Sequence, residues 1–95
     1  MAVAVRRYRV EGEVQGVGFR WHVREQARAL GLAGWVRNEP DGAVVLVASG
    51  DVPALDALER HLAIGPRHSR VTDVVRRELT SFDAAGLPSP FLIER

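Results

Sequence analysis

Cysteine is missing from the chain, and so is lysine. Without cysteine there is no disulfide staple, no thiolate for zinc and no thiol nucleophile, so a packed apolar core must hold the 95 residues together. Without lysine, all 13 basic side chains are arginine, which codon bias or a hot habitat explains without any chemistry. Long apolar runs are lacking too. The longest, Ala43 to Ala48, falls far short of the roughly 20 residues that cross a bilayer. Arg6 and Arg7 follow an apolar start, the reverse of a secretory signal's order. The expectation is a cytoplasmic protein with no membrane partner. Charge of one sign is also scarce: 13 basic and 12 acidic residues leave a formal net charge of +1, which calls for no polyanionic partner. Amides are few. Asn38 is the single Asn, and Gln15 and Gln26 are the only Gln.

What remains is ordinary globular material, 46% hydrophobic and 26% charged, with no repeat and no linker-like tract, so residues 1–95 are taken as one domain. Tyr8, Val10, Gly12 and Val14 alternate with Arg9, Glu11, Glu13 and Gln15, the two-residue period of a half-buried strand. Phe19, Val23, Ala27 and Leu30 then recur at helical spacing, and Gly31 stands where a left-handed cap ends such a helix. Ala33 to Asn38 and Ala43 to Ser49 are β-rich runs around Glu39-Pro40-Asp41-Gly42, a hairpin turn. Asp51 can cap a second helix with Leu55, Leu58 and Leu62 on one stripe, stopped by Gly65-Pro66. Val71 to Leu79 reads as a fourth strand, and Phe91-Leu92-Ile93 can add a short fifth at an edge. The order β-α-β-β-α-β gives two right-handed split crossovers: a ferredoxin-like α+β sandwich, an antiparallel sheet in order 4-1-3-2 with both helices on one face.

Function has to come from residues, because this scaffold hosts many activities. Gln15-Gly16-Val17-Gly18-Phe19-Arg20 joins the first strand to the first helix. Two glycines let backbone N–H groups turn inward as an anion nest, and the helix start adds unpaired amides and a positive dipole end. Arg20 stands at that same end, where a cation costs the helix from a few tenths to about 1 kcal/mol. A bound dianion offsets that cost. The plain alternative is a tight turn with a solvated arginine. The loop lacks the Gly-Lys-Ser/Thr of a nucleotide-hydrolysing loop and the third glycine of a dinucleotide fold. In the split crossover the first two strands are parallel, with the third between them, so Asn38 ends at the same sheet edge about 10 Å away. Its amide can accept a hydrogen bond from a water and donate to an anionic oxygen. Hairpin-turn chemistry is its bland alternative.

These residues carry a resemblance. Val10-x-Gly12-x-Val14-Gln15-Gly16-Val17-Gly18-Phe19-Arg20, followed by Gly34-Trp35-Val36-Arg37-Asn38-x-x-Asp41-Gly42-x-Val44, resembles the acylphosphatase family along nearly the whole chain. Gly65-Pro66 ahead of Val71 and Val74 is similar as well, although His68-Ser69-Arg70 is more polar than that family's usual stretch. The resemblance implies metal-free hydrolysis of acyl phosphates without a cofactor. It implies that Arg20 and the amides of Gln15, Gly16, Val17, Gly18, Phe19 and Arg20 hold phosphate while Asn38 orients the attacking water. A monomer acting on a small acyl phosphate is the matching expectation.

Other readings fit less well. His22, His61 and His68 have no zinc-ligand spacing, although His22, on the helix's first turn, can sense a bound anion. Trp21, Trp35 and Phe19 fall near the crevice, and core packing accounts for them. An RNA-binding module would carry aromatics on the third strand, which instead reads Ala43-Val44-Val45-Leu46-Val47-Ala48. A partner-serving domain of a larger carbamoyl-transferring protein is the remaining rival. Glu39 and Asp41 flank Asn38 but read as turn solvation, leaving no evident general base.

Overall fold

The structure is a computed structural model that describes residues 3–95. The elements are β1 (Val3–Glu13), α1 (Phe19–Ala29), β2 (Ala33–Asn38), β3 (Val44–Asp51), α2 (Val52–Ile64), β4 (Arg70–Leu79), a 3-10 turn (Ser81–Ala84) and β5 (Leu92–Ile93). Sheet order is β4-β1-β3-β2-β5, the ferredoxin-like order with one strand added. The sheet is mixed rather than purely antiparallel, because β5 lies parallel to β2, pairing Leu92 with Trp35 and Ile93 with Val36. An edge strand arriving from a long connection is free of the hairpin constraint that forces antiparallel pairing.

Alternation decides what each strand buries. Tyr8 and Val10 of β1, Val36 of β2, and Val44, Leu46 and Ala48 of β3 form one face of the core. Phe19, Val23 and Ala27 of α1 and Leu55, Leu58 and Leu62 of α2 close over it, all fully buried. Each such leucine contributes about 1.5–3 kcal/mol when taken out of water. Helix α1 ends as its glycine predicts: Gly31 has φ 72°, and Leu32 N–H bonds the Ala27 carbonyl at 2.9 Å.

Two expectations need correction. Strand β1 begins at Val3, not near Tyr8, because residues 3–7 complete the ladder with β3 from Val3↔Asp51 to Arg7↔Val47. Hydrophobic alternation missed this stretch because Arg6 occupies a helix-facing position at 6% exposure. Its guanidinium donates to Asp56 at 2.7 Å, Glu78 at 2.9 Å and the Tyr8 hydroxyl at 3.3 Å. Burial, opposed by that guanidinium, pushes the Tyr8 phenol up to about 12. Asp51 does sit at the start of α2, yet its side chain makes no cap bond. It is still paired with Val3 in the sheet, and Pro53 removes one of the amides a cap would bond.

Candidate active site

Strands β1 and β2 both run antiparallel to β3 and are therefore parallel to each other, so their carboxyl ends share one sheet edge. The register is specific. Val10 and Asn38 face Val44 from its two sides, two strand spacings or about 10 Å apart. Between the end of β1 and the start of α1, Gly16 (φ 76°) and Gly18 (φ 79°) hold the left-handed backbone that only glycine takes without cost. A Cβ on either would meet nothing within 4 Å, so conformation rather than crowding demands glycine there.

Gly18 is also the N-cap of α1, and it brings no side chain to bond the first-turn amides. No acidic residue stands in that turn either. The helix thus starts with unpaired N–H donors facing a hollow of about 140 Å³ lined by Gly16, Gly18, Phe19, Arg20 and Asn38. Val14, Trp21 and Ile93 complete its wall. Among these lining residues Arg20 alone is charged, and no salt bridge or side-chain hydrogen bond occupies it among the described residues. Opposite, the Asn38 Oδ1 is buried and has no hydrogen-bond partner. An orphaned buried carbonyl costs about 1–3 kcal/mol unless a water or ligand satisfies it.

Of the residues the sequence singled out, the structure brings Gly16, Gly18, Phe19, Arg20 and Asn38 to one hollow. Gln15 and Val17 do not line it. The Gln15 amide instead donates to the carbonyls of Glu39 (2.7 Å) and Ala43 (2.9 Å), strapping the loop to the β2–β3 hairpin. The carboxylates flanking Asn38 are engaged elsewhere: Glu39 bonds Arg37 at 3.4 Å, and Asp41 bonds Arg9 at 2.6 Å and the Ala43 amide at 3.1 Å. Each of them thus has an arginine partner. The Arg9 contact and the Ala43 amide lower the Asp41 carboxyl below its ordinary range.

The aromatic residues separate. Phe19 is core, but Trp21 is 59% exposed, which core packing does not explain. Trp35 lies on the sheet face opposite the helices, beneath the Arg37 guanidinium at 4.7 Å. His22 packs edge-on between Phe19 and His61, with its buried Nε2 unpartnered. Burial, with His61 beside it, lowers its pKa. Sequence reasoning missed Ile93 at the site. The apolar run was visible, but only the parallel register with β2 brings it there. Among the described residues, no three His, Asp or Glu side chains gather as a metal-ligand set, and no helix is long and apolar enough to cross a membrane.

Comparison with known proteins gives one consistent result. The family model described as Acylphosphatase matches residues 6–84. An acylphosphatase of Koribacter versatilis is 58% identical over 69 residues, spanning 73% of this chain and 63% of that protein. One from Salinibacter ruber is 45% identical over 87 residues, 92% of this chain and 88% of the relative. The crystal structure of acylphosphatase from Bacillus subtilis superposes with a TM-score of 0.90 at 37% identity, covering 99% of this chain and all of that one.

Proposed function

This chain belongs to the acylphosphatase family, and from that premise we propose that the hollow at the start of α1 hydrolyses acyl phosphates to a carboxylate and inorganic phosphate. The phosphoryl group sits on the loop amides of residues 15–20, with the Arg20 guanidinium gripping two of its oxygens. Charge-assisted bonds of that kind are worth roughly 1.5–3 kcal/mol each. Asn38 holds the attacking water through its free Oδ1 while its N–H₂ can donate to a phosphoryl oxygen. The orphaned Asn38 carbonyl facing an unneutralised Arg20 across one small hollow carries this reading.

In the reaction, the water oxygen bonds phosphorus as the bond to the acyl oxygen breaks, and the carboxylate leaves with the bonding pair. A carboxylate is a good leaving group, so no strong acid is needed. The water's proton passes to a phosphoryl oxygen, since Glu39 and Asp41 are held by Arg37 and Arg9. Acceleration then comes from positioning and from preorganised donors aimed at charge spread over the phosphoryl oxygens. The reading includes a cytoplasmic monomer, a single domain over residues 1–95, and a small substrate with no cofactor, metal, nucleic acid or membrane partner.

Phosphate release from benzoyl phosphate tests it. Turnover is expected to be unchanged by EDTA and inhibited by inorganic phosphate. A folded preparation that releases no phosphate above the uncatalysed rate would overturn the assignment.

A further inference from the structure

Phosphate chemistry uses the loop amides, Arg20 and Asn38, and leaves part of the hollow without a task. That remainder is apolar. Trp21 follows Arg20 on the first turn of α1, lines the hollow and is 59% exposed, the largest side chain left to solvent at the site. Ile93, brought in by β5, lines the same hollow. The core accounts for only part of this surface. Ile93 is only partly buried and packs against the core's margin, and Trp21 is no part of the core cluster. Exposing an indole at a catalytic hollow leaves apolar surface in water that a ligand can cover. Arg20 is the single charge among the lining residues and is committed to the phosphoryl group, so nothing else on the wall matches a charged acyl substituent.

We propose that Trp21 and Ile93 form the acyl-group subsite, and that this chain therefore favours acyl phosphates with an uncharged aromatic or branched apolar acyl group over acetyl or carboxylate-bearing ones. The inference rests on the reading of the hollow as a phosphoryl site. It assigns the specificity of that site to residues that do not touch the phosphoryl group. The indole is covered by the acyl carbons when substrate is bound, and Ile93 lies on the β5 side of the same wall.

The test compares kcat/KM for benzoyl phosphate and acetyl phosphate in the parent chain, Trp21→Ala and Trp21→Phe, with the inhibition constant of inorganic phosphate measured in each. Trp21→Ala is expected to lower kcat/KM for benzoyl phosphate about tenfold, the scale of one ring's buried apolar surface. Acetyl phosphate is expected to change less than about threefold and the phosphate inhibition constant not at all, with Trp21→Phe recovering most of the benzoyl preference. An equal loss on both substrates, or no loss on either, overturns the subsite.

A binding arm works without turnover. In a Trp35→Phe background, whose removed ring lies on the opposite sheet face, benzylphosphonate is expected to change Trp21 fluorescence while inorganic phosphate leaves it nearly unaltered. Equal responses to the two ligands also overturn the subsite. If the parent chain cleaves neither substrate, the reaction assigned above fails, and this titration still decides whether Trp21 meets an acyl-like group.

Discussion

Replacing Arg20 by Gln removes the single charged side chain lining the hollow and keeps its length and a hydrogen-bonding tip. The structure sets the size of the effect. No acidic partner neutralises Arg20 among the described residues, so its full charge is available to the phosphoryl group. Two charge-assisted bonds amount to about 3–6 kcal/mol, of which one neutral amide bond restores about 1. The net loss of about 2–5 kcal/mol corresponds to a fall in kcat/KM of at least about 30-fold and up to several thousand-fold. Phosphate inhibition should weaken together with turnover, because the same bonds hold the product. Stability should move the other way. A cation in the first turn opposes the helix dipole, so Arg20→Gln should raise the melting temperature slightly, by the roughly 1–2 °C that a few tenths of a kcal/mol give in a domain this small. Phosphate release, phosphate inhibition and thermal melts on one preparation read all three. A folded Arg20→Gln chain with kcat/KM within about threefold of the parent would refute the reasoning, and a lowered melting temperature would mean that Arg20 has a structural bond instead.

Asn38→Ala should lower kcat by about 10²-fold or more while leaving the phosphate inhibition constant within about threefold, because water orientation matters only to the chemical step; an equal loss of phosphate affinity would make Asn38 a binding residue. Arg6→Met should cost about 1–3 kcal/mol in denaturant unfolding. The figure is kept below that of a fully buried pair because Asp56 and Glu78 are about half exposed (46% and 54%) and can rehydrate; no change in midpoint would show that the Arg6 cluster adds nothing net. His22 titrates below its ordinary value in the fold, so the unfolded chain takes up this proton first as pH falls. Stability from this residue is therefore complete above about pH 6.5 and declines as pH drops through and below that value. His22→Phe should flatten the stability curve between about pH 7 and 5, and an unchanged acid slope would contradict the lowered pKa of this partly buried imidazole.

Much of this was legible in the sequence because the relevant signals are local. Helical spacing of Phe19, Val23 and Ala27 and a two-residue period through Tyr8 and Val10 each determine a face before any tertiary contact exists, and the buried sets agree. Gly16 and Gly18 were readable for the same reason, since positive φ is a property of one residue. The pairing of Arg20 with Asn38 needed only the handedness of the crossover. What escaped depends on partners far along the chain. Arg6 looks like a surface charge until α2 supplies Asp56 and β4 supplies Glu78, 50 and 72 residues away. Trp21 could not be separated from core packing until α1 was seated with that side chain exposed, and no local pattern encodes the parallel edge pairing that brings Ile93 to the hollow.

Charge segregation across the sheet connects fold to site. Three carboxylates follow Asn38 and Ile93 closely in sequence, Glu39 and Asp41 after β2 and Glu94 after β5, and any of them beside Arg20 would weaken its attraction for an anion. Strand alternation prevents this. Asn38 shares a level with Val10, and Ile93 with Val36, on the helix side, whereas Arg9 and Arg37 alternate to the opposite face. There Arg37 takes Glu39 and Glu94 at 3.4 Å each, and Arg9 takes Asp41 at 2.6 Å. Exposed pairs of this kind add little stability on their own. Their consequence lies in where the negative charge goes: these three carboxylates are drawn to the face away from the helices, and none of them pairs with Arg20 at the helix start. The proposed dianion site thus has a physical basis in a near-neutral chain, and the net charge of +1 gives no hint of it.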